Sequence, residues 1–238
     1  MDRLLTECAT PAERYLRIAQ HVEDIRASGG YPQRVTICAA TKTVDAAVIN
    51  SVVRAGLRRA GENRVDEFTA KAPLLDPALT MDFIGTVQTN KLGKIVGRAA
   101  LIQSVGSLHA VQEIQRLCVK NNLTQEILVE INSGREPAKS GVLPEDAAAF
   151  FDQIAPYDRV LPRGIMTVGP ICEKKGDIAV FFEKTYEIFI DIFTKKIHNI
   201  SNPILSMGMS ENYDVAIACG ATMIRPGSAI FGRRAYPV

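Results

Sequence analysis

The sequence contains no tryptophan, three histidines and five cysteines in 238 residues. His21, His109 and His198 stand far apart, and no cluster of histidine, cysteine and aspartate has the spacing of a metal site. No metal is expected, and the three histidines are read as surface or packing residues on helices. Cys8, Cys38, Cys118, Cys172 and Cys219 are odd in number and nowhere spaced CxxC. That pattern fits reduced thiols in the cytoplasm, not a disulfide framework. No apolar run reaches the length of a membrane span, and residues 1–7 lack the apolar core of a signal peptide. An excess of one charge is missing too. The net charge is +2 with acids and bases mixed along the chain, so neither a nucleic-acid nor a membrane partner is expected. No Walker loop is present, and no GxGxxG follows a strand.

What is present is ordinary for a globular chain: 47% hydrophobic and 23% charged residues, enough to bury a core without staples. No break in composition marks a linker, so one domain over 1–238 is expected. An amphipathic helix is predicted over 12–28, stopped by Ser28-Gly29-Gly30. A β-branched apolar run from Val35 then reads as a strand. Asp45 can cap a helix that buries Val48, Ile49, Val52 and Val53, with Gly56 at its C′ position. Further strands are expected over 57–60, 81–85, 101–105, 127–132, 164–168, 203–207 and 222–225. Between them helices are expected over 65–71, 90–97, from Ser107 to Cys118, and over 147–154, 177–196 and 211–219. A last short helix opens at 228–232. Phe181, Phe182, Phe189 and Phe193 form an apolar stripe that reads as packing. Eight apolar strands, each followed by a helix, imply parallel βαβ units. In a chain of this length they point to an α/β (β/α)8 TIM barrel, with a doubly wound open sheet as the alternative.

The first strand ends on Thr41-Lys42-Thr43. A buried strand does not bury a lysine casually, because its charge is expensive to desolvate. Taken alone, Lys42 fits a side chain that escapes to solvent. At the C-terminal mouth of a barrel, where active sites lie, it becomes a candidate for a Schiff base with a carbonyl. Other polar residues follow the strands at the same mouth: Glu62 and Asn63, Gln88 and Asn90, Asn132 and Ser133, Ser210, and Arg225 with Gly227 and Ser228. The last group is the most specific. Loops after strands seven and eight, with a short helix, often bind phosphate in barrels. Free amides at the helix start, a glycine and serine hydroxyls suit an anion. A lysine plus a phosphate cup fits pyridoxal 5′-phosphate or a sugar phosphate, as in a lysine-dependent aldolase. Arg225 favours the first, because a permanent cation beside a pyridine nitrogen keeps that nitrogen unprotonated.

Six blocks in order carry a resemblance to a known family: Ala40-Thr41-Lys42-Thr43, Gly61-Glu62-Asn63-Arg64-Val65, Phe83-Ile84-Gly85 with Gln88-Thr89-Asn90-Lys91, Gly164-Ile165-Met166-Thr167, Leu205-Ser206-Met207-Gly208-Met209-Ser210, and Arg225-Pro226-Gly227-Ser228-Ala229-Ile230-Phe231-Gly232. The chain resembles the pyridoxal phosphate homeostasis proteins. The resemblance implies a barrel like the N-terminal domain of alanine racemase. It makes Lys42 the lysine that forms the internal aldimine, Ser210, Gly227 and Ser228 the phosphate-binding positions, Arg225 the arginine facing the pyridine nitrogen, and Asn63 a pocket residue. It implies a role in vitamin B6 and amino-acid homeostasis without an assigned catalytic residue. The expected partners are pyridoxal phosphate and apo enzymes that receive it, with the chain a cytoplasmic monomer. The alternative is an amino-acid racemase. That reaction needs a base on each face of its substrate. In alanine racemase the second base is a tyrosine contributed by a partner subunit's C-terminal domain, and this chain ends just after barrel closure. Departures from the family pattern are Thr86-Val87 for His-Leu, Gly106 for Asp and Pro226 for Ile. Lys139 lies in a loop that matches the family. Lys91, Lys94 and Arg98 read as a solvated basic helix face.

Overall fold

The computed structural model describes residues 9–172, 174–195 and 200–232. Cys8, His198, residues 1–7 and the expected helix end at Lys196 lie outside them. Eight parallel strands close into a barrel in sequence order: β1 (Thr36–Ala40), β2 (Arg59–Glu62), β3 (Thr80–Phe83), β4 (Leu101–Val105), β5 (Gln125–Ile131), β6 (Val160–Thr167), β7 (Ile204–Ser206) and β8 (Met223–Ile224). Closure is made by β1 on β8, with Thr36 opposite Met223 and Ile37 opposite Ile224. The helices are α1 (Pro11–Gly29), α2 (Ala46–Arg54), α3 (Val65–Lys71), α4 (Leu108–Asn121), α5 (Ala147–Ile154), α6 (Ala179–Lys195), α7 (Tyr213–Ala218) and α8 (Ser228–Phe231). The barrel expected from the alternation is the one observed.

Alternation along the strands builds two cores. Ala39, Ala60, Phe83, Ile102, Val129, Ile165, Leu205 and Ile224 join the helices in the outer shell. Cys38, Leu101, Leu128, Met166 and Met223 fill the barrel itself. These strands bury both faces, which is why they read as continuous apolar runs. Helix α1 starts with a capping box, in which Thr10 and Glu13 each satisfy the other's backbone N–H. It packs on α7 and α8. There the Arg14 Nε donates to the Ile230 carbonyl at 2.7 Å, and His21 Nδ1 meets the Tyr213 hydroxyl at 2.7 Å.

Several boundaries differ from expectation, and four of them have a clear local reason. Leu57 belongs to the end of α2: its N–H reaches the Val52 carbonyl and that of Gly56 the Val53 carbonyl, with Gly56 at φ +115°. This is a Schellman-type cap, so β2 starts two residues late, at Arg59. Strand β6 starts earlier, at Val160, because a register shift opposite Ile127 and Leu128 admits Pro162 to the strand. The helix expected over 90–97 is a 3-10 turn, Thr89–Lys94, broken by Gly93 and by Gly97 at φ +76°. Helix α7 begins only at Tyr213, because the Asn212 carboxamide accepts the Met209 N–H at 2.8 Å and folds 209–212 into a turn.

Candidate functional site

A cavity of about 500 Å³ opens at the C-terminal ends of the strands. Lys42, Asn63, Ser210, Arg225, Gly227 and Ser228 all line it, together with Ala40, Ile84, Val168 and Met209. Residues from six separated stretches of sequence are therefore brought to one place.

Lys42 is half-buried, two residues beyond β1, and makes no hydrogen bond or ion pair among the described residues. Its two neighbours, by contrast, are held. Lys71 in α3 sends its ammonium to the Thr41 carbonyl at 2.9 Å, to Glu62 Oε2 at 2.8 Å and to Glu67 Oε2 at 2.6 Å. Glu67 Oε2 also accepts the Thr43 N–H at 2.7 Å. Thr43 sits at φ +61°, a left-handed conformation that a β-branched residue adopts only at a cost. Glu62 is fully buried, and its other oxygen accepts the Asn63 N–H at 2.8 Å. One buried ammonium thus ties together the segments that carry Lys42 and Asn63. Burial pushes the Glu67 carboxyl up, but Lys71, the Thr43 amide and Arg64 together outweigh it and leave the group below its ordinary value. Only the Glu67–Lys71 spacing of i, i+4 hinted at this cluster in the sequence.

Asn63 Oδ1 is buried at the cavity wall without a hydrogen-bond partner among the described residues. Its backbone is pressed by Gly85: a Cβ there would lie 1.9 Å from the Asn63 carbonyl oxygen, so only glycine fits.

The phosphate end differs in detail from expectation. The N–H groups of Gly227 and Ala229 are not free. Both donate to Ser210 Oγ, at 2.9 and 3.1 Å. That oxygen then has its lone pairs engaged, so the Ser210 proton is the donor it can offer to an anion. The Pro226 carbonyl accepts the Ala40 N–H at 2.9 Å, so proline at this position leaves barrel closure intact.

Arg225 is buried, and its guanidinium is fixed from behind. Nη1 donates to Ser206 Oγ at 2.6 Å and Nη2 to the Thr167 carbonyl at 2.7 Å. Ser206 Oγ donates to Gln103 Oε1 at 2.7 Å, and Gln103 Nε2 to Asp82 Oδ2 at 2.7 Å. Arg59 Nε reaches the same Asp82 oxygen at 2.7 Å. Burial lowers the Arg225 pKa to about 10, with Cys38 and Glu130 pulling the other way, so it stays cationic at neutral pH. Burial and then Asp82 push the Cys38 thiol well up, so that residue stays protonated in the barrel interior. Asp82, Gln103 and the Ser206 role carried no recognisable sequence signal, because they sit inside ordinary strands.

Other residues expected at the mouth have structural partners. Asn132 organises its own loop through the Glu136 backbone, and Ser133 bonds Thr167. Lys139 pairs with Glu136 and does not line the cavity. Gly106 packs against Gly141, where a Cβ would approach Cα to 2.7 Å, so the family's aspartate has no room. Among the described residues no group of three metal-ligating side chains occurs, and no helix is long and apolar enough to cross a membrane.

Comparison with known proteins agrees with this architecture. The family model for the alanine racemase N-terminal domain matches residues 16–235. A pyridoxal phosphate homeostasis protein of Aquifex aeolicus is 36% identical over 226 residues, 94% of this chain and 98% of that protein. One of Pseudomonas aeruginosa is 32% identical over 231 residues, 96% of this chain and 97% of its own length. The solved structure of PipY from Synechococcus elongatus with PLP bound superposes with a TM-score of 0.76 at 28% identity, covering 89% of this chain and all of that one. Fold and mouth together define a barrel of the alanine racemase N-terminal type. The chain belongs to the pyridoxal phosphate homeostasis protein family.

Proposed function

We propose that the mouth cavity holds pyridoxal 5′-phosphate with Lys42 as its tether, and that the protein stores and passes on this cofactor. The observation that carries the reading is the convergence of complementary groups on one cavity. Lys42 offers an amine with no competing partner among the described residues. The Ser210 proton and the Ser228 hydroxyl offer donors to a phosphate. Arg225 offers a fixed cation that donates but cannot protonate a ring nitrogen. The orphaned Asn63 Oδ1 asks for a donor, and a phenolic hydroxyl supplies one. When bound, the cofactor supplies an aldehyde carbon that a lysine amine captures reversibly.

The chain acts as a carrier rather than a catalyst. Racemisation needs a base on each face of the substrate. Lys42 supplies one; no histidine or tyrosine is among the lining residues, and the one carboxylate there, Glu211, is exposed in the turn next to Ser210 at the phosphate end. Apo enzymes that use the cofactor are its recipients, and it works in the cytoplasm as a monomer. Unpaired Cys38, Cys118, Cys172 and Cys219 support that compartment. The purified protein mixed with pyridoxal phosphate should turn yellow, and borohydride should fix a pyridoxyl group on the peptide that contains Lys42. A colourless protein, or a label elsewhere that survives Lys42→Ala, would sink this reading. Exchange of the α-hydrogen of amino acids for deuterium, lost in Lys42→Ala, would instead make the protein an enzyme.

A further inference from the structure

A second cavity, of about 630 Å³, lies beside the first and is lined from the segments that follow β1, β2 and β3. The two share Lys42 and Asn63. Other polar residues of its wall include Arg64, Asp66, Glu67, Thr86, Gln88 and Lys91. Two sequence blocks therefore meet here, 61–65 and 88–91, and cofactor binding uses only Asn63 from them.

Charge decides what this cavity can hold. Both acids in its wall meet cations that do not line it, although Lys71 also serves the buried Glu62. Glu67 meets Lys71 at 2.6 Å, and Asp66 meets Lys94 at 3.3 Å. The cations in the wall have no such compensation. Lys42 and Lys91 make no ion pair among the described residues, and Arg64 reaches only a 3.5 Å contact with the already paired Glu67. Lys91 is half-buried, and Lys42, Arg64 and Lys91 together with Lys71 and Lys94 outnumber Glu62, Asp66 and Glu67, so the wall carries surplus positive charge beside the hydroxyl of Thr86 and the amide of Gln88. Asn63 Oδ1, whose two lone pairs can serve an occupant of either cavity, adds a buried acceptor without a partner among the described residues.

The geometry points to a second ligand site here, which takes a small carboxylate whose neighbouring group donates a hydrogen bond. Lys91 and Arg64 hold the carboxylate and Asn63 the donor. The Arg64 guanidinium can meet a planar carboxylate through two parallel N–H···O bonds, with Lys91 as the second cation. Because Lys42 belongs to both cavities, the occupant lies against the cofactor tether. Only that coupling rests on the proposed function.

Calorimetric titration tests the site, with the cofactor-free and the loaded chain, using glycolate, succinate and inorganic phosphate. Glycolate should bind saturably to both forms and more tightly than succinate, which lacks the neighbouring donor. It should also shift the absorbance of the loaded chain. Lys91→Ala should weaken binding by about tenfold or more. Arg98→Ala, which removes an exposed cation from the same stretch, should leave it unchanged. Absence of saturable binding, equal losses in the two variants, or phosphate binding tighter than glycolate would overturn the assignment. A chain that takes no pyridoxal phosphate yet binds glycolate through Lys91 defeats the proposed function and upholds this site.

Discussion

Replacing Lys71 by methionine tests the idea that one ammonium organises the mouth. Lys71 has 12% of its side chain exposed and Glu62 none. Removing the amine leaves a buried carboxylate with only the Thr41 hydroxyl and the Asn63 N–H as donors. Breaking a buried pair in this way costs about 3–5 kcal/mol. The Glu67 arm is 21% exposed and adds at most about 1 kcal/mol. The folding constant should thus fall by roughly a hundredfold to ten-thousandfold. The assay is the urea midpoint of the cofactor-free chain. Adding Glu62→Gln removes the stranded charge and should recover about half or more of the loss. The stabilised double variant should still capture pyridoxal phosphate more slowly than the wild type, because Thr41 and Thr43 lose their common anchor. A loss below about 1 kcal/mol for Lys71→Met would refute the reasoning, and so would a double variant no more stable than the single one.

The same cluster sets a pH dependence. The Glu67 carboxyl is held below its ordinary value of 4.5 in the folded chain, so its contribution is present above that pH and lost as pH falls through the folded value. Glu67→Gln should therefore destabilise the chain at pH 6 and have a smaller effect at pH 3, read from denaturation midpoints. Gly85→Ala drives a Cβ into the Asn63 carbonyl at 1.9 Å, and should lower the melting temperature and weaken cofactor capture together. Ser210→Ala removes the acceptor shared by two backbone amides and the donor offered to the anion. Binding of pyridoxamine 5′-phosphate, which needs no Lys42 capture, should weaken by about tenfold or more in equilibrium dialysis. Retention of wild-type affinity would remove Ser210 from the phosphate end.

The barrel was legible because its strands are buried on both faces and its helices on one, so the two periods alternate without ambiguity. Where boundaries slipped, a cap, a bulge or a side-chain-closed turn decided them. Leu57, Pro162 and Asn212 show this, and each depends on a partner that local composition does not reveal. The mouth residues were legible because loops gather there and because the resemblance named them. What holds them was not. Lys71 reads as an ordinary helix cation until α3 is laid against the end of β1, and Gln103 as an ordinary strand residue until the barrel closes. Lys91, assigned in sequence to a solvated basic face with Lys94 and Arg98, lies half-buried on a 3-10 turn and lines the second cavity, while Lys94 and Arg98 are exposed.

The hydrogen-bonded line through the barrel interior has a polarity. Asp82 receives from Arg59 and Gln103, so Gln103 must turn its amino end to Asp82 and its carbonyl to Ser206. Ser206 must then give its proton to Gln103, which leaves only a lone pair for Arg225. Each side chain removes a choice from the next. An asparagine at position 82 could either give or receive, and the direction of every later bond would become free to reverse. Arg225 would then face a serine that competes with it as a donor. A residue three bonds from the mouth, touching nothing that enters it, acts as the reference that fixes the sense of the arginine's hydrogen bonds.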